Sequence, residues 1–543
     1  MSDHSIHRPG RRAWLRGLLA MGVAAGSARS LSAMASEAVD ANTGLELGPA
    51  EPFSFESLIQ RAEKLAAAPY DPPPRPAPEA IQSINYDAAG KIHYRRDVAL
   101  WKDGPSVYPI TFRPLGEYFP KPVAMHVVAG GEARAVRYRP EYFDMPSDSP
   151  LRAVPEGSSG IAGFWVHRSR RTHDWFEEEP WATFQGASYF RAVSETGQVG
   201  MSARGIAINT AGEQEEEFPD FRAFWFQPAT SEGDAVVVHA LLDGPSITGA
   251  YRIALRSRGD TEMEIEKHLF VRKTIDQLGI APLTSMYWYT ETPNVHLRGW
   301  RPEVHDSDTL AIWNGSGEHL VRPLVNPVAR GYSAFADQNP RGFGLLQRDR
   351  AFVHYLDGVG YEKRPSVWVE PLEDWGAGQV TLVELPTNDE TFDNIIAFWQ
   401  PQGAQLAGTA LTYRYRLYWS EEQPFDPDLA KAVSLRAGPG GDFGVARVPD
   451  TVRLVIGWEG DRLASLDPEN ATFEVEASPV GEISNVRVRR LPGHADRWQA
   501  EFDLHVAQDD PVELSGNLLV DGEPVAEKWL YQYHREAFLE VMP

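Results

Sequence analysis

The sequence predicts an all-β protein of antiparallel sandwich type, and three observations carry that expectation. Short apolar runs recur along most of the chain, as in Ala235–Leu242, Gly249–Arg256, Glu264–Arg272 and Thr412–Trp419, and the last alternates rings with arginines at period two. Turn clusters such as Asp243-Gly244-Pro245-Ser246 and Asn339-Pro340-Arg341-Gly342 separate these runs. Helical periodicity nearly vanishes beyond residue 66, so many short strands follow one another without intervening helices.

The elements follow in chain order. Residues 1–35 read as a twin-arginine signal peptide. Arg11-Arg12 precedes a weakly apolar stretch, Gly17–Gly26, and Ala33-Met34-Ala35 offers a small-x-small cleavage site. The stretch is too short and glycine-rich to remain as a membrane span, and no later window reaches about 20 apolar residues, so no stable membrane insertion is expected. Residues 55–66 predict one amphipathic helix, with Phe55, Leu58, Ile59, Ala62 and Leu65 on one face. A proline-rich stretch, Pro69–Pro76, follows it, and the strand-like runs then continue to Trp419. The acidic, proline-containing segment 421–432 reads as a linker. Beyond it, 433–543 holds shorter strands such as Val452–Gly457 and Ala471–Ala477, at a length that suits an immunoglobulin-like sandwich. The expected division is therefore a signal at 1–35, a large sandwich at 36–420, a linker at 421–432 and a second sandwich at 433–543.

Composition narrows the chemistry. The chain of 543 residues carries 76 acidic and 52 basic side chains, a formal charge of −24. Loss of the arginine-rich leader would take it to −28 (five arginines and one acid removed). No basic stripe interleaved with aromatics exists, so a nucleic-acid partner is not expected. With no cysteine, disulfides, thiol catalysis and thiolate metal sites are excluded. There is no Walker loop, HExxH or GxSxG elbow, and the 15 histidines do not cluster at metal-ligand spacing. No cofactor and no metal is expected. The 16 Trp, 19 Tyr and 24 Phe suit a neutral ligand that stacks on rings.

Two acid-rich junctions are the candidates for catalysis. One runs from Trp300 to Trp313 and contains His305-Asp306-Ser307-Asp308; the other runs from Leu385 to Trp399 and contains Asp389-Glu390-Thr391-Phe392-Asp393-Asn394. In each, carboxylates stand just before a run that is apolar on both faces, as a buried strand would be. Asp306 and Asp393 would then sit at strand entrances, where a rigid sheet can hold a carboxylate at a cleft. Glycoside hydrolysis needs two such groups, one protonated to supply the leaving oxygen and one ionised to activate water or attack. The plainer reading of either junction is a turn in which Asp and Asn cap the backbone. Asp306-Ser307-Asp308 also has the D-x-D form of sugar-nucleotide transferases, which an exported protein disfavours. Between the junctions, Tyr361, Arg364, Trp368, Glu370 and Trp375 form the densest aromatic and charged segment, and with Trp399 they are the candidate substrate-binding residues. Their alternative place is the core and rim of the sandwich.

These residues carry a family resemblance. Gly186–Ala192, Ser202–Gly205, Glu217–Phe221, Ser246–Tyr251, Gln277–Pro282, His305–Asp308, Gly342–Gln347, Lys363–Ser366, Asp393-Asn394, Tyr415–Trp419 and Trp529–Tyr533 resemble the periplasmic glucan biosynthesis family of OpgG/OpgD (MdoG/MdoD) proteins. The leader favours the OpgD branch. The resemblance implies a large galactose-mutarotase-like β-sandwich followed by an immunoglobulin-like domain. It implies β-1,2-glucan as substrate and inverting endo-β-1,2-glucanase chemistry, with transglycosylation by the same acids in some relatives. It places the general acid on Asp393, the general base on Asp306, and Tyr361 near the water path. Burial, or like-charged neighbours such as Asp389 and Glu390, would have to raise the Asp393 pKa. A non-catalytic glucan-binding assembly module, with a homodimer or assembly partner, is the competing reading. The three glycines of Arg436–Phe443 are compatible with mobility, and its place after the linker would let the second domain contribute to the site; whether this stretch closes over the cleft is left open by the sequence.

Overall fold

A computed structural model describes residues 44–538, apart from 158–159, 213, 292–299, 426 and 443. The expected leader at 1–35 lies outside the described residues. The expected helix forms over Phe55–Ala66. Ser54 caps it: its hydroxyl accepts the Ser57 N–H at 3.1 Å, and the Ser57 hydroxyl accepts the Ser54 N–H at 3.1 Å. Leu58 and Ala62 are buried against Ala223, Trp225, Leu241 and Ala250, so the helix covers the outer face of a sheet.

The runs read as strands are strands. Among the described residues, sixteen join in one sheet, whose centre is Asp220–Gln227, Val236–Asp243, Ile247–Arg258, Asp260–Val271 and Ala410–Ser420, in that spatial order. A second sheet runs in the order Gly331–Gln338, Ala377–Glu384, Ile395–Pro401, Leu278–Ser285, Ser202–Arg204, Tyr189–Ala192, Ala182–Gln185, Ile161–Val166 and Ile110–Pro114. Apolar side chains from the two inner faces meet between them. Phe164 stacks on Phe184 at 4.7 Å within the second sheet and meets Phe226 of the first edge-on at 4.7 Å. This is the all-β sandwich expected from the alternation.

Beyond residue 430 a smaller sandwich forms around a second core that includes Trp458, Trp498, Phe502 and Trp529. One of its layers is Lys431–Pro439, Thr451–Glu459, Arg497–His505 and Glu482–Arg490. The other layer, Lys528–Tyr533, Val512–Val520 and Ala471–Ser478, is the end of the large sheet. The join is a parallel pairing of Leu320 with Lys528 and Val321 with Trp529. Arg348 reinforces it through a bidentate pair with Glu527, both contacts at 2.7 Å and both side chains buried. The two sandwiches thus share one sheet, and the strand Lys431–Pro439 opens the smaller one. The glycine-rich stretch from Arg436 begins within the strand Lys431–Pro439. Gly438 and Pro439 pair with Arg453 and Val452, and the Gly441 N–H binds Asp503 at 3.0 Å, so 436–441 is held rather than loose. Phe443 lies outside the described residues. No helix among the described residues is long and apolar enough to cross a membrane.

Candidate active site

Each acid-rich junction opens a buried strand, Thr309–Trp313 after Asp306 and Ile395–Pro401 after Asp393. The segment Ser285–Tyr287 lies between the two junctions and binds both. The Asp306 N–H donates to the Met286 carbonyl at 2.8 Å, and the hydroxyls of Ser285 and Ser307 share a hydrogen bond of 2.7 Å. On the other flank Ser285 pairs with Ile395, and buried Asn394 clamps Tyr287 from both sides. Its Oδ1 accepts the Tyr287 N–H at 2.8 Å and its Nδ2 donates to the Tyr287 carbonyl at 3.0 Å. With about 4.8 Å between neighbouring strands, the backbones at Asp306 and Asp393 stand roughly 10 Å apart.

The two carboxyls occupy different surroundings. Asp306 is 5% exposed and forms an ion pair with Arg364. The Arg364 guanidinium lies 4.1 Å above the ring of Tyr361. Tyr361 is buried, and its hydroxyl donates to Glu390 at 2.8 Å. Glu390 in turn accepts Arg301 at 2.6 Å, and Arg301 reaches Asp357 at 3.2 Å. Asp393 is open to solvent yet crowded by the wall around it. That burial raises its pKa above the ordinary carboxyl value, and the charges of Arg204, Arg191 and Arg364 pull it back only in part. The like-charge cause expected from the sequence is corrected. Asp389 turns away to accept the Thr391 N–H at 2.8 Å, and Glu390 is neutralised by Arg301.

Behind Asp306 lies a buried polar chain. The Tyr361 carbonyl accepts Gln347 Nε2 at 2.9 Å, and Gln347 Oε1 faces His305 Nδ1 at 2.7 Å. His305 Nε2 faces Glu303 Oε2 at 2.9 Å. Burial presses the His305 imidazole toward neutrality, but the hydrogen bond and charge of Glu303 outweigh it and leave its pKa raised. Asp308 is a turn residue: its Oδ2 accepts the N–H groups of Arg348 and Asp349 at 2.7 and 2.9 Å. Glu303, Asp349 and His354 bring ligand atoms within 4.8 Å of one another. Their charges are already matched in pairs, Glu303 with His305 and Asp349 with His354 at 2.5 Å. The group carries no metal assignment.

The remaining candidate residues divide. Tyr361 and Arg364 join Asp306, whereas three rings do not line the site. Trp399 is fully buried and packs against Trp375, itself buried, at 6.2 Å between ring centres. Trp368 is buried in the core between the sandwiches, and a Cβ on Gly342 would stand 2.5 Å from its indole. The expectation that these tryptophans stack on a ligand is corrected, because closely packed inward faces leave them no open surface. Glu370 is corrected too. It lies on the large sheet, bound to Tyr418 at 2.7 Å and Arg416 at 3.2 Å in a ladder of charges away from both acids. Sequence reasoning missed Arg191 and Arg204. Arg204 is buried, donating to Thr284 at 2.8 Å and to Glu216 at 2.8 Å. Arg191 lies between buried Phe190 and Ala192, and Arg204 follows buried Ala203, on strands of only four and three residues.

The profile of the family described as "Periplasmic glucan biosynthesis protein, MdoG" matches residues 53–533. The chain belongs to this family. It is 47% identical to glucans biosynthesis protein D 2 of Ralstonia nicotianae over 90% of this chain and 92% of that one. It is 43% identical to glucans biosynthesis protein D of Xylella fastidiosa over 90% and 91%, and 42% identical to that of Xanthomonas oryzae pv. oryzae over 95% and 97%. These relatives agree with the OpgD branch of the MdoG family. Among solved structures, the Slr1438 protein of Synechocystis sp. is similar over 48% of this chain and 88% of its own at 9% identity, with a TM-score of 0.22, too low to carry an argument.

Proposed function

We propose that this chain acts in periplasmic glucan biosynthesis as an inverting glycoside hydrolase on β-1,2-glucan, with Asp393 as general acid and Asp306 as general base. Membership of the MdoG family supports the glucan and the compartment. The observation that carries the chemistry is the contrast between the two carboxyls. Asp393 is solvent-reachable with a raised pKa, which favours the proton a general acid must give. Asp306 is paired with Arg364, which favours the ionised form a base needs.

In this reading Asp393 passes its proton to the glycosidic oxygen as the bond to the anomeric carbon breaks. Water attacks that carbon from the opposite face and gives its proton toward Asp306. Tyr361 holds the Arg364 guanidinium flat, and Glu390 with Arg301 fixes Tyr361, so the chain behind the base positions it rather than reacts. Twin-arginine export of the folded chain belongs to the same proposal.

The test is incubation of the protein from Ser36 onward with linear β-1,2-glucan, beside Asp393→Asn. New reducing ends from the parent and none from the variant support hydrolysis. Products that change length or cyclise without new reducing ends would make the reaction a transglycosylation by the same acids. Glucan that binds and stays intact would replace the enzyme by an assembly module.

A further inference from the structure

The core between the two main sheets holds a group that the chemistry above does not use. Lys267 lies on the inner face of Asp260–Val271, between Ile265 and Leu269, and is fully buried. The rings of Tyr251 and Tyr415 face its ammonium at 5.7 and 5.1 Å, and among the described residues no carboxylate pairs with it. Burial alone therefore drives its pKa from 10.5 down to about 7. An apolar side chain of similar length would fill the same space without the cost of a buried amine. That cost points to a task for the ammonium.

The task is legible in what it binds. Lys267 Nζ donates to the Gly205 carbonyl at 3.1 Å, and the Tyr251 hydroxyl donates to the same oxygen at 3.0 Å. Both donors stand on the first sheet, whereas Gly205 directly follows Ser202–Arg204 of the second. That strand has only three residues. It pairs Ser202 with Thr284 and Ala203 with Leu283 on one flank, and Ala203 with Phe190 and Arg204 with Tyr189 on the other. The two donors brace the end of this short ladder from across the core. The fit is close: a Cβ at Gly205 would stand 2.9 Å from Phe221, 3.1 Å from Ser188 and 3.2 Å from Leu242, so the backbone there rests on the core itself. Arg204, the residue before it, brings its charge to bear on Asp393.

We propose that Lys267 is a positioning residue: from inside the core, together with Tyr251, it fixes the Gly205 carbonyl and so holds the Arg204 guanidinium in place against Asp393. The proposal rests on the reading of Asp393 as general acid and adds what tunes it. Arg204 draws down the proton affinity of Asp393, so slack in the strand that carries Arg204 lets that affinity rise.

The experiment follows the Asp393 carboxyl by carboxyl-carbon NMR titration of the aspartate-labelled chain from Ser36 onward, with the signal identified by its loss in Asp393→Asn. Lys267→Met is expected to move the midpoint up by roughly 0.5 unit, and Tyr251→Phe to act in the same direction, against about 1 unit for Arg204→Met. Added to Arg204→Met, Lys267→Met is expected to give no further rise, because both act through one guanidinium. A thermal melt separates this from a packing role. The folded lysine keeps its proton only below about pH 7 and the unfolded one up to 10.5, so the parent gains stability as pH rises across that interval. Lys267→Met lacks that slope and is expected to melt above the parent at pH 7, by a margin that narrows toward pH 10.5. An Asp393 midpoint unmoved by both substitutions overturns the proposal, as does a Lys267→Met shift that adds in full to that of Arg204→Met. If the midpoint moves as expected while the parent leaves linear β-1,2-glucan uncut, the brace stands and the glucan reading falls. If glucan is cut and the midpoint stays put, the reverse holds.

Discussion

Replacing Trp399 by alanine separates a core role from a ligand role for the tryptophan on the strand that Asp393 opens. Trp399 is fully buried, and a Cβ on Gly378 would come within 2.5 Å of its indole. A buried tryptophan removes about 150–250 Å² from water. At about 25 cal/mol/Å² that amounts to 4–6 kcal/mol, and truncation of buried aromatics costs about 3–5 kcal/mol in practice. Unfolding entropy of about 2.1 cal/mol/K per residue gives roughly 1 kcal/mol/K for 543 residues, so Trp399→Ala lowers Tm by about 4 °C. Its Nε1 has no hydrogen-bond partner among the described residues, so Trp399→Phe loses no hydrogen bond to them and costs only roughly 1–2 kcal/mol. Circular dichroism melts read both, and calorimetric titration with long β-1,2-glucan gives affinity. The expected result is a graded fall in Tm, with affinity kept in Trp399→Phe. An unchanged Tm together with lost affinity would refute the burial argument and return the ring to the ligand surface.

Three further outcomes follow from buried or paired charges. Arg204 lowers the Asp393 pKa, so Arg204→Met raises it further; the acid stays protonated to higher pH, and the alkaline limb of kcat/KM moves up. A limb that stays put or moves to lower pH contradicts the assignment. Glu291 has its pKa raised from 4.5 to about 8, first by burial and then by Glu303. The folded state therefore holds a proton that the unfolded chain has lost, and stability falls as pH rises from about 4.5 to about 8. Glu291→Gln removes that slope, so its melts at pH 5 and pH 8 differ less than those of the parent. Arg348→Met leaves Glu527 buried without its cation and costs about 3–5 kcal/mol, while Arg348→Met combined with Glu527→Leu recovers most of it; denaturant midpoints read both.

Alternation made the strands legible, because a half-buried strand writes its two faces into the chain at period two. It also marked the positions of Asp306 and Asp393, since acids that precede a doubly apolar run have only a strand entrance to occupy. Their approach to each other was not legible. It depends on Ser285–Tyr287, a segment whose sequence says nothing about which two neighbours it binds. The tryptophans were placed wrongly for a related reason. Aromatic density reports that rings are present, but Trp368 and Trp399 sit in strands buried on both faces, where no polar alternation marks an outward side. Arg191 and Arg204 escaped because the strands carrying them span only four and three residues, too few for a period to stand out.

The parallel bridge at Leu320 and Val321 bears on how this chain tolerates shortening. A protein cut at residue 421 would keep both acids and the side chains that surround them. It would also lose Lys528–Tyr533, and His319–Pro323 would become a bare margin with unpaired N–H and C=O groups. Trp368 and Leu346, now covered by the C-terminal core, would be laid bare on the same sheet. Such a margin recruits strands from other molecules. The smaller sandwich therefore acts as a selvedge that keeps the weave of the larger one from joining its neighbours, and a truncated chain is expected to precipitate before its activity can be assayed.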